Sequence, residues 1–410
     1  MPRHESLWSA TARVPECRSL RENFHADVCV IGAGIAGLSV AYELALAGRL
    51  VAVLDDGPIG GGMTRMSTGH LTCMLDDRYF ELEKLHGSEA MRAAADSHRS
   101  AIERIEEIAR SERIDCDFAR VDGYLFLAEE DERDTLEREL NAVHRAGLRE
   151  VELVARAPYG WDTGPCLRFP RQAQFHPVKY LAGLAQAIQR MDGRIYCGSH
   201  ADHVEGGVPG LVHVGSNVIT GDAVVVATNV PINNRLAIHT KQAPYMTYVI
   251  GARVPRGSVP RILAWDTGDP YHYIRIQSLG DDDLLIVGGE DHKTGQAHDS
   301  PQRWRRLESW ARARFPMIGE VEYTWGGQIM ETIDYLAFIG ANPMDHDNIY
   351  VATGDSGMGL THGAIAGMLL RDLVLARPNP WQQLYSPSRV PLRAAGEFAR
   401  EDLNMAAQFC

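Results

Sequence analysis

Seven cysteines are scattered along the 410 residues, and no two of them form a CxxC pair. Without such pairs there is no zinc ribbon and no dithiol redox motif. The cysteines read as reduced thiols of a cytoplasmic protein, with no disulfide framework and no metal site. Cys29, inside an apolar run, is most simply a core residue. Long hydrophobic stretches are also missing: no run is long enough to span a bilayer. The opening MPRHESLWSATARVPECRSL has no apolar export core, so neither export nor a membrane partner is expected. Positive charge is scarce as well. Lys and Arg total 41 against 54 Asp and Glu, a net charge of −13, which makes nucleic acid a poor partner. The one basic cluster, WRRLESWARAR at 304–314, places Trp304, Leu307, Trp310 and Ala311 at helical spacing with arginines on the other face. It reads as an amphipathic helix. No internal repeat or low-complexity segment occurs. A hydrophobic content of 45% is that of a globular chain, long enough here for two domains or one large one.

What is present begins at Ala26, with ADVCVIGAGIAGLSVAYELALAG. An apolar strand, 28–31, runs into Gly32, Gly34 and Gly37. An Ala-rich helix follows, and a second apolar strand ends at Asp55. Each glycine has a physical task. Gly32 permits the tight turn, Gly34 lets a pyrophosphate approach the backbone, and Gly37 lets helix pack closely on strand. The unpaired N–H groups of the helix start, at Ile35 and Ala36, face the phosphates. Asp55 can accept hydrogen bonds from the adenosine ribose. Asp55 and Asp56 together, with no arginine beside them, argue against a 2′-phosphate. The spacing therefore predicts a bound adenine dinucleotide.

Further along, GPIGGGMTRMSTGHL (57–71) is too rich in Gly and Thr for a helix. Charged helical stretches follow near 88–114 and 129–146, the second a solvated face. YLFLA (124–128) reads as a strand between them. A helix starts at Pro177 and ends by Gly193. Short strands are expected near 194–197, 211–214 and 223–227, the last within VVVATN. Residues 240–300 alternate like antiparallel strands. NIYVATG (348–354) and an apolar helix close the pattern, while residues 1–25 look like an irregular arm. Dinucleotide-type segments thus occur at the start, middle and end. The expected fold is α/β: a discontinuous cofactor domain (1–95, 170–235, 325–410) interrupted by a substrate domain (96–169, 236–324).

Together, IGAGIAGLSVAYELALAG, VLDD, GPIGGG, VVVATN and YVATGDSGMGLTHGAIAGMLLRDL resemble the D-amino-acid oxidase-like (DAO) family of FAD oxidoreductases, over nearly the whole chain. The phrases SLWSATA, IDCDFARVDGYLF, QAQFHPVKYLAGLA, DPYHYIRI, GGEDHKTGQ and NPWQQLYSPSR are similar to bacterial two-part proteins in which this module precedes a Rieske iron–sulfur domain. The chain stops at EDLNMAAQFC, about where that domain would begin, so the electron partner is expected to be separate or unnecessary. The resemblance implies a glutathione-reductase-type, Rossmann-like FAD domain with a mostly antiparallel sheet roofing the substrate pocket. It also implies oxidation of a C–N bond in a small amine or amino acid by hydride transfer to flavin, the imine then hydrolysing. A dehydrogenase serving an iron–sulfur partner, or a non-catalytic flavin-binding subunit, is the alternative.

Site residues carry over from the same resemblance. Gly32, Gly34, Gly37 and Asp55 match the ADP site. Gly61, Gly62 and Thr64 match the segment wrapping pyrophosphate and flavin. Val204 matches a backbone contact to adenine, and Ala227 and Thr228 end the strand beside the cofactor. Gly354, Ser356, Gly357, Met358, Gly359 and Leu360 match the turn beneath the flavin pyrimidine. The helix that follows starts near Thr361 and aims its N-terminus at that ring. Tyr271, Tyr273 and Arg275 alternate on one strand and share a face. Arg275 there is either a fork for a substrate carboxylate or a sheet-edge arginine. His292 either handles the substrate amine or is a hydrogen-bonded loop histidine. His70 stands where relatives tend to have lysine. His176 either lies at the domain junction or simply precedes the helix-starting proline. Asp355 replaces an aromatic residue: facing inward it disfavours anionic reduced flavin, and otherwise it caps the turn. Gly288 stands in place of an oxygen-activating lysine. No cysteine near Met330 offers covalent attachment, so the FAD is expected to be non-covalent.

Overall fold

The computed structural model describes residues 2–129, 131, 133–232, 238–297 and 299–389; the terminal EDLNMAAQFC lies outside the described residues. Two sheets organise the chain. In the first, the strands run in the order Phe338–Ala341, Ile349–Thr353, Asn217–Asn229, Phe24–Ile31, Val51–Leu54 and Arg194–Tyr196. The four central pairings are parallel, and Phe338–Ala341 closes one edge antiparallel. Strands covered on both faces need continuous apolar runs, and Val51–Leu54 is buried at every position. The second sheet runs Val321–Thr332, Gln242–Val254, Asp282–Lys293, His272–Leu279, Leu263–Asp266, Ala119–Phe126, Cys166–Gln174 and His70–Leu71. Its pairings are antiparallel except that Leu263–Asp266 runs parallel to Ala119–Phe126.

Two helices set the geometry of the centre. Ile35–Leu46 leaves the first strand through Gly34, and Gly359–Val374 leaves Ile349–Thr353 through a glycine turn. They cross in close contact. A Cβ on Gly363 would lie 2.8 Å from Ile35 Cγ2, and one on Gly367 would lie 2.9 Å from Ser39 Cβ. The crossing is also pinned electrostatically. Buried Glu43 accepts from Arg104 of the helix Ser88–Ser111 at 2.5 Å and from Arg371 at 3.0 Å.

Two expectations fail here. The N-terminal arm is not irregular throughout. Leu7–Thr11 is a helix capped by Ser6, Leu7 and Trp8 are buried, and Trp8 Nε1 donates to the Ser67 carbonyl at 2.7 Å. Five residues are too few to show a helical period. The thiols are not all reduced either. Cys17 and Cys197 form a disulfide, while Cys29, Cys73, Cys116 and Cys166 are free and buried. The two halves lie 180 residues apart, and the arm meets them only in space, where Cys197 N–H donates to the Arg18 carbonyl.

Among the described residues, no helix is long and apolar enough to cross a membrane. Nor does any group of three or more His, Cys, Asp or Glu among them suit a metal ion.

Candidate active site

A cavity of about 520 Å³ runs between the sheets, at the C-terminal ends of the parallel strands. Ile31, Leu54, Ala227 and Ala352 line it from the first sheet; Thr247, Trp265, Tyr271, Tyr273 and Gly327 line it from the second.

At the dinucleotide end it is lined by Gly32, Gly34, Ile35, Ala36, Asp55, Asp56, Gly61, Gly62, Thr64, Ala227 and Thr228. Gly32 has φ +110°, and a Cβ there would lie 2.3 Å from the Ala227 carbonyl oxygen. Gly37 does not line the cavity. Its added Cβ would sit 1.8 Å from the Gly32 oxygen, so it serves the helix–strand approach. The Asp55 carboxylate accepts the N–H of Ala33 at 2.6 Å and of Gly57 at 2.8 Å, fixing the turn; burial raises its pKa. Thr64 Oγ1 accepts the Ile35 N–H at 3.0 Å, capping the helix start. Val204 is a correction. It does not line the cavity: its backbone is paired with Val212, and its side chain lies in the core. Ser199, His200 and Ala201 hold that end instead.

At the opposite end, Gly354, Gly357, Met358, Gly359 and Leu360 line the cavity. Ser356 does not. It is buried, 3.2 Å from Thr332 Oγ1, and donates its N–H to the Met330 carbonyl. Asp355 lines the cavity and does not cap its own turn: its carboxylate accepts the Met330 N–H of the neighbouring strand Val321–Thr332 at 3.1 Å. It also crowds Gly359, where a Cβ would come within 2.5 Å of Oδ2. Burial pushes its pKa up to about 6. His362 lines the same region with Nε2 unpartnered, and burial pushes its pKa down to about 4.

The roof is aromatic. Tyr271 and Tyr273 line it with Trp265 and His70; the Tyr273 hydroxyl is 2.8 Å from Thr247 Oγ1. His70 Nδ1 is 2.9 Å from Thr68 Oγ1. Burial, with Arg275 nearby, pushes its pKa down to about 3, so it is neutral. Gly288 makes room for this wall: a Cβ on it would lie 2.0 Å from the Tyr273 ring.

Arg275 shares with Tyr273 the strand that Tyr271 immediately precedes, but does not line the cavity as they do. It is wholly buried, and its guanidinium donates to the carbonyls of Thr68, Gly69 and Phe175 and to Gln277. Buried and absent from the cavity lining, it cannot reach a substrate carboxylate, which overturns the clamp reading. His292 does not line the cavity either. Its ring nitrogens are 3.0 Å from the Tyr248 hydroxyl and 2.8 Å from the Lys293 carbonyl oxygen. His176 caps the helix Pro177–Arg190, accepting the Lys179 N–H. The residue that sequence reading missed is Asp76, which lines the cavity and accepts from the Tyr271 hydroxyl at 3.1 Å. Its only local signal was a pair of acids, Asp76 and Asp77, closing the apolar run LTCML.

The FAD dependent oxidoreductase family model (DAO) matches residues 27–373. The chain belongs to the DAO family of FAD-dependent oxidoreductases. Across 390 residues this DAO protein is 29% identical to "Putative Rieske 2Fe-2S iron-sulfur protein YhfW" of Bacillus subtilis strain 168, covering 95% of the chain and 76% of that protein. It is 28% identical over 373 residues to gamma-glutamylputrescine oxidoreductase of Escherichia coli K12, covering 87% and 85%. A solved glycine oxidase from Geobacillus kaustophilus shares the fold at TM-score 0.75 and 19% identity, over 90% of this chain and all of that one. The cofactor of the DAO family is FAD, and the residues fit it. Two helix starts, at Gly34 and Met358, face one elongated cavity. Its glycine turn is held open by the backbone, and the unpartnered His362 Nε2 stands at the flavin end.

The buried carboxyls give the fold a pH dependence. A carboxyl with a raised folded pKa contributes stability that is lost as pH rises through that value. The lowered histidines act oppositely but are neutral in both states above about pH 7. Burial lifts Asp291 to about 7, and burial beside Asp76 raises Asp77 too. Both still titrate above the histidine range. The unfolding midpoint of the flavin-free protein is therefore expected to fall between pH 7 and 8.5 in thermal scans; a rise across that window would contradict the burial of these acids.

Proposed function

We propose that this protein oxidises the C–N bond of a small amine or amino acid. The substrate carbon beside nitrogen gives up a hydride, carrying two electrons, and the resulting iminium takes up water to yield a carbonyl and a free amine. FAD, bound without a covalent link, supplies the two-electron acceptor. The observation that carries the reading is the aromatic roof of Trp265, Tyr271 and Tyr273, continuous with the cofactor cavity. Leu360 and the turn from Gly357 line the same end of the cavity. Tyr273, Thr247 and Asp76 are the protein groups that orient a substrate and receive its proton.

A dehydrogenase handing electrons to a separate iron–sulfur partner is the second reading. It is favoured by Tyr273 filling the space beside Gly288, and by the absence of Lys and Arg from the described cavity lining. The test is anaerobic mixing of the yellow holoprotein with a panel of amines and amino acids. Bleaching is expected; a flavin reduced by dithionite but by no panel member would defeat the catalytic reading. On admitting air, reoxidation is expected to run about tenfold or more slower than reduction by the best substrate, a barrier difference of about 1.4 kcal/mol. Stopped-flow traces that reoxidise as fast as they reduce would identify an oxidase instead.

A further inference from the structure

The substrate end of the cavity has a pronounced charge asymmetry. Among the described lining residues there is no lysine and no arginine. The arginines nearest in sequence are committed elsewhere. Arg275 is spent on the carbonyls of Thr68, Gly69 and Phe175. Arg78 donates to the carbonyls of Asp76 and Asp266. The lining histidines near the flavin end, His70 and His362, are held neutral by burial.

Negative charge, in contrast, is concentrated there. Asp76 and Asp355 both line the cavity. The Asp76 carboxylate projects over the flavin-side turn, where a Cβ on Gly357 would come within 1.9 Å of Oδ2. Only a glycine leaves room for it. Asp291 is hydrogen-bonded by Thr247, and burial, with Asp76 nearby, raises its pKa. The Asp291 Oδ1 atom is buried and has no hydrogen-bond partner at all. Such an atom is costly unless something positive or hydrogen-donating reaches it. Asp77 and Glu331 belong to the same acidic cluster, where burial favours their protonated forms. Trp265, Tyr271 and Tyr273 line the same cavity, with the two tyrosine rings 5.5 Å apart. Aromatic faces attract an ammonium group and do nothing for a carboxylate.

We propose that the substrate is a positively charged aliphatic amine bearing no carboxylate, and that Asp76 receives its nitrogen beneath the tyrosine wall. This deepens the amine-oxidising reading above and rests on it. An amino acid would bring a carboxylate into a site lined by Asp76 and Asp355 and, among the described residues, by no lysine or arginine, which is unfavourable for an unpaired buried charge. An alkylammonium meets the acids and the π faces together. Glycine at 357 and tyrosine at 271 are then parts of the recognition: one clears the space for Asp76, and the other orients it by its hydroxyl.

The test uses holoprotein and an isosteric pair of opposite charge, n-butylammonium and butyrate, titrated anaerobically while the flavin absorption spectrum is recorded. Butylammonium is expected to perturb the spectrum saturably, at a dissociation constant at least tenfold lower than that of butyrate. Asp76→Asn, which keeps shape and removes charge, is expected to weaken butylammonium binding about tenfold or more while the flavin stays bound. Equal or tighter binding of butyrate, or no binding of butylammonium, overturns the proposal, and neither reading depends on the variant folding. The two layers of inference separate cleanly. Glycine or L-alanine bleaching the flavin better than n-butylamine or putrescine would overturn the substrate class but leave the oxidoreductase standing. Selective butylammonium binding without bleaching by any amine would keep the recognition and remove the catalysis.

Discussion

Gly32→Ala is expected to purify colourless. The position combines two demands that no side chain satisfies. Its φ of +110° lies in a region that L-residues rarely adopt, and the added Cβ would meet the Ala227 carbonyl oxygen at 2.3 Å and its carbon at 2.9 Å. Both atoms belong to the backbone of the strand Asn217–Asn229, one residue past its last pairing with Phe24–Ile31 at Val226, so no side-chain rotation moves them aside. The strand–helix turn must open instead, displacing the N–H groups of the helix start from the phosphates. The measurement is flavin absorbance per mole of purified, folded protein. A fall of about tenfold in retained FAD corresponds to only ~1.4 kcal/mol of binding, well below the strain introduced. Gly160→Ala, where nothing lies within 4 Å of the new atom, should stay yellow. Stoichiometric flavin in Gly32→Ala would show that the turn is not the cofactor's support.

Arg275→Ala comes second. Removing this side chain leaves the Thr68 and Phe175 carbonyls without their guanidinium donor, and it leaves a void against the Trp8 ring, which lies 5.3 Å from the guanidinium carbon. Each buried polar group left unpaired costs about 1–3 kcal/mol, so a loss of about 3 kcal/mol or more is expected in chemical denaturation. Arg275→Lys should recover little of it, because one ammonium cannot span acceptors that a planar fork reaches. The kinetic signature separates this role from a substrate clamp. A clamp would raise KM for carboxylate substrates at an unchanged unfolding midpoint, whereas a structural arginine lowers the midpoint and leaves KM of the folded fraction alone.

These two residues also mark where local pattern suffices and where it does not. Gly32, Gly34, Gly37 and Asp55 work through spacing along one short segment, and a strand, a turn and a helix are all local events. The strand, glycine turn and helix of the dinucleotide end were therefore legible from the sequence. Alternation correctly put Tyr271, Tyr273 and Arg275 on one face. It carried no information about where along that face the cavity stops and the Thr68–Gly69 turn begins to consume the guanidinium. The disulfide between Cys17 and Cys197, the buried Trp8 and the Asp76 carboxylate share that difficulty. Each acquires its meaning from a partner that is distant in sequence, and nothing in the neighbouring residues announces the partner. Val204 failed more narrowly: the segment was right, but the pairing of Val204 with Val212 moved the exposed positions to Ser199, His200 and Ala201.

The crossing at Gly363 and Gly367 has a consequence for how this enzyme can be altered. Both helices start at the cofactor cavity, and a single contact patch sets the spacing of the two. Gly367 lies eight residues from the start of its helix, a lever arm of about 12 Å. A methyl group inserted at the fulcrum tilts the ring-facing end and the phosphate-facing end together. Cofactor affinity and flavin reduction potential are therefore expected to change together. Substitutions at this fulcrum should move along a single trade-off line, with no variant there improving one property while leaving the other where it was.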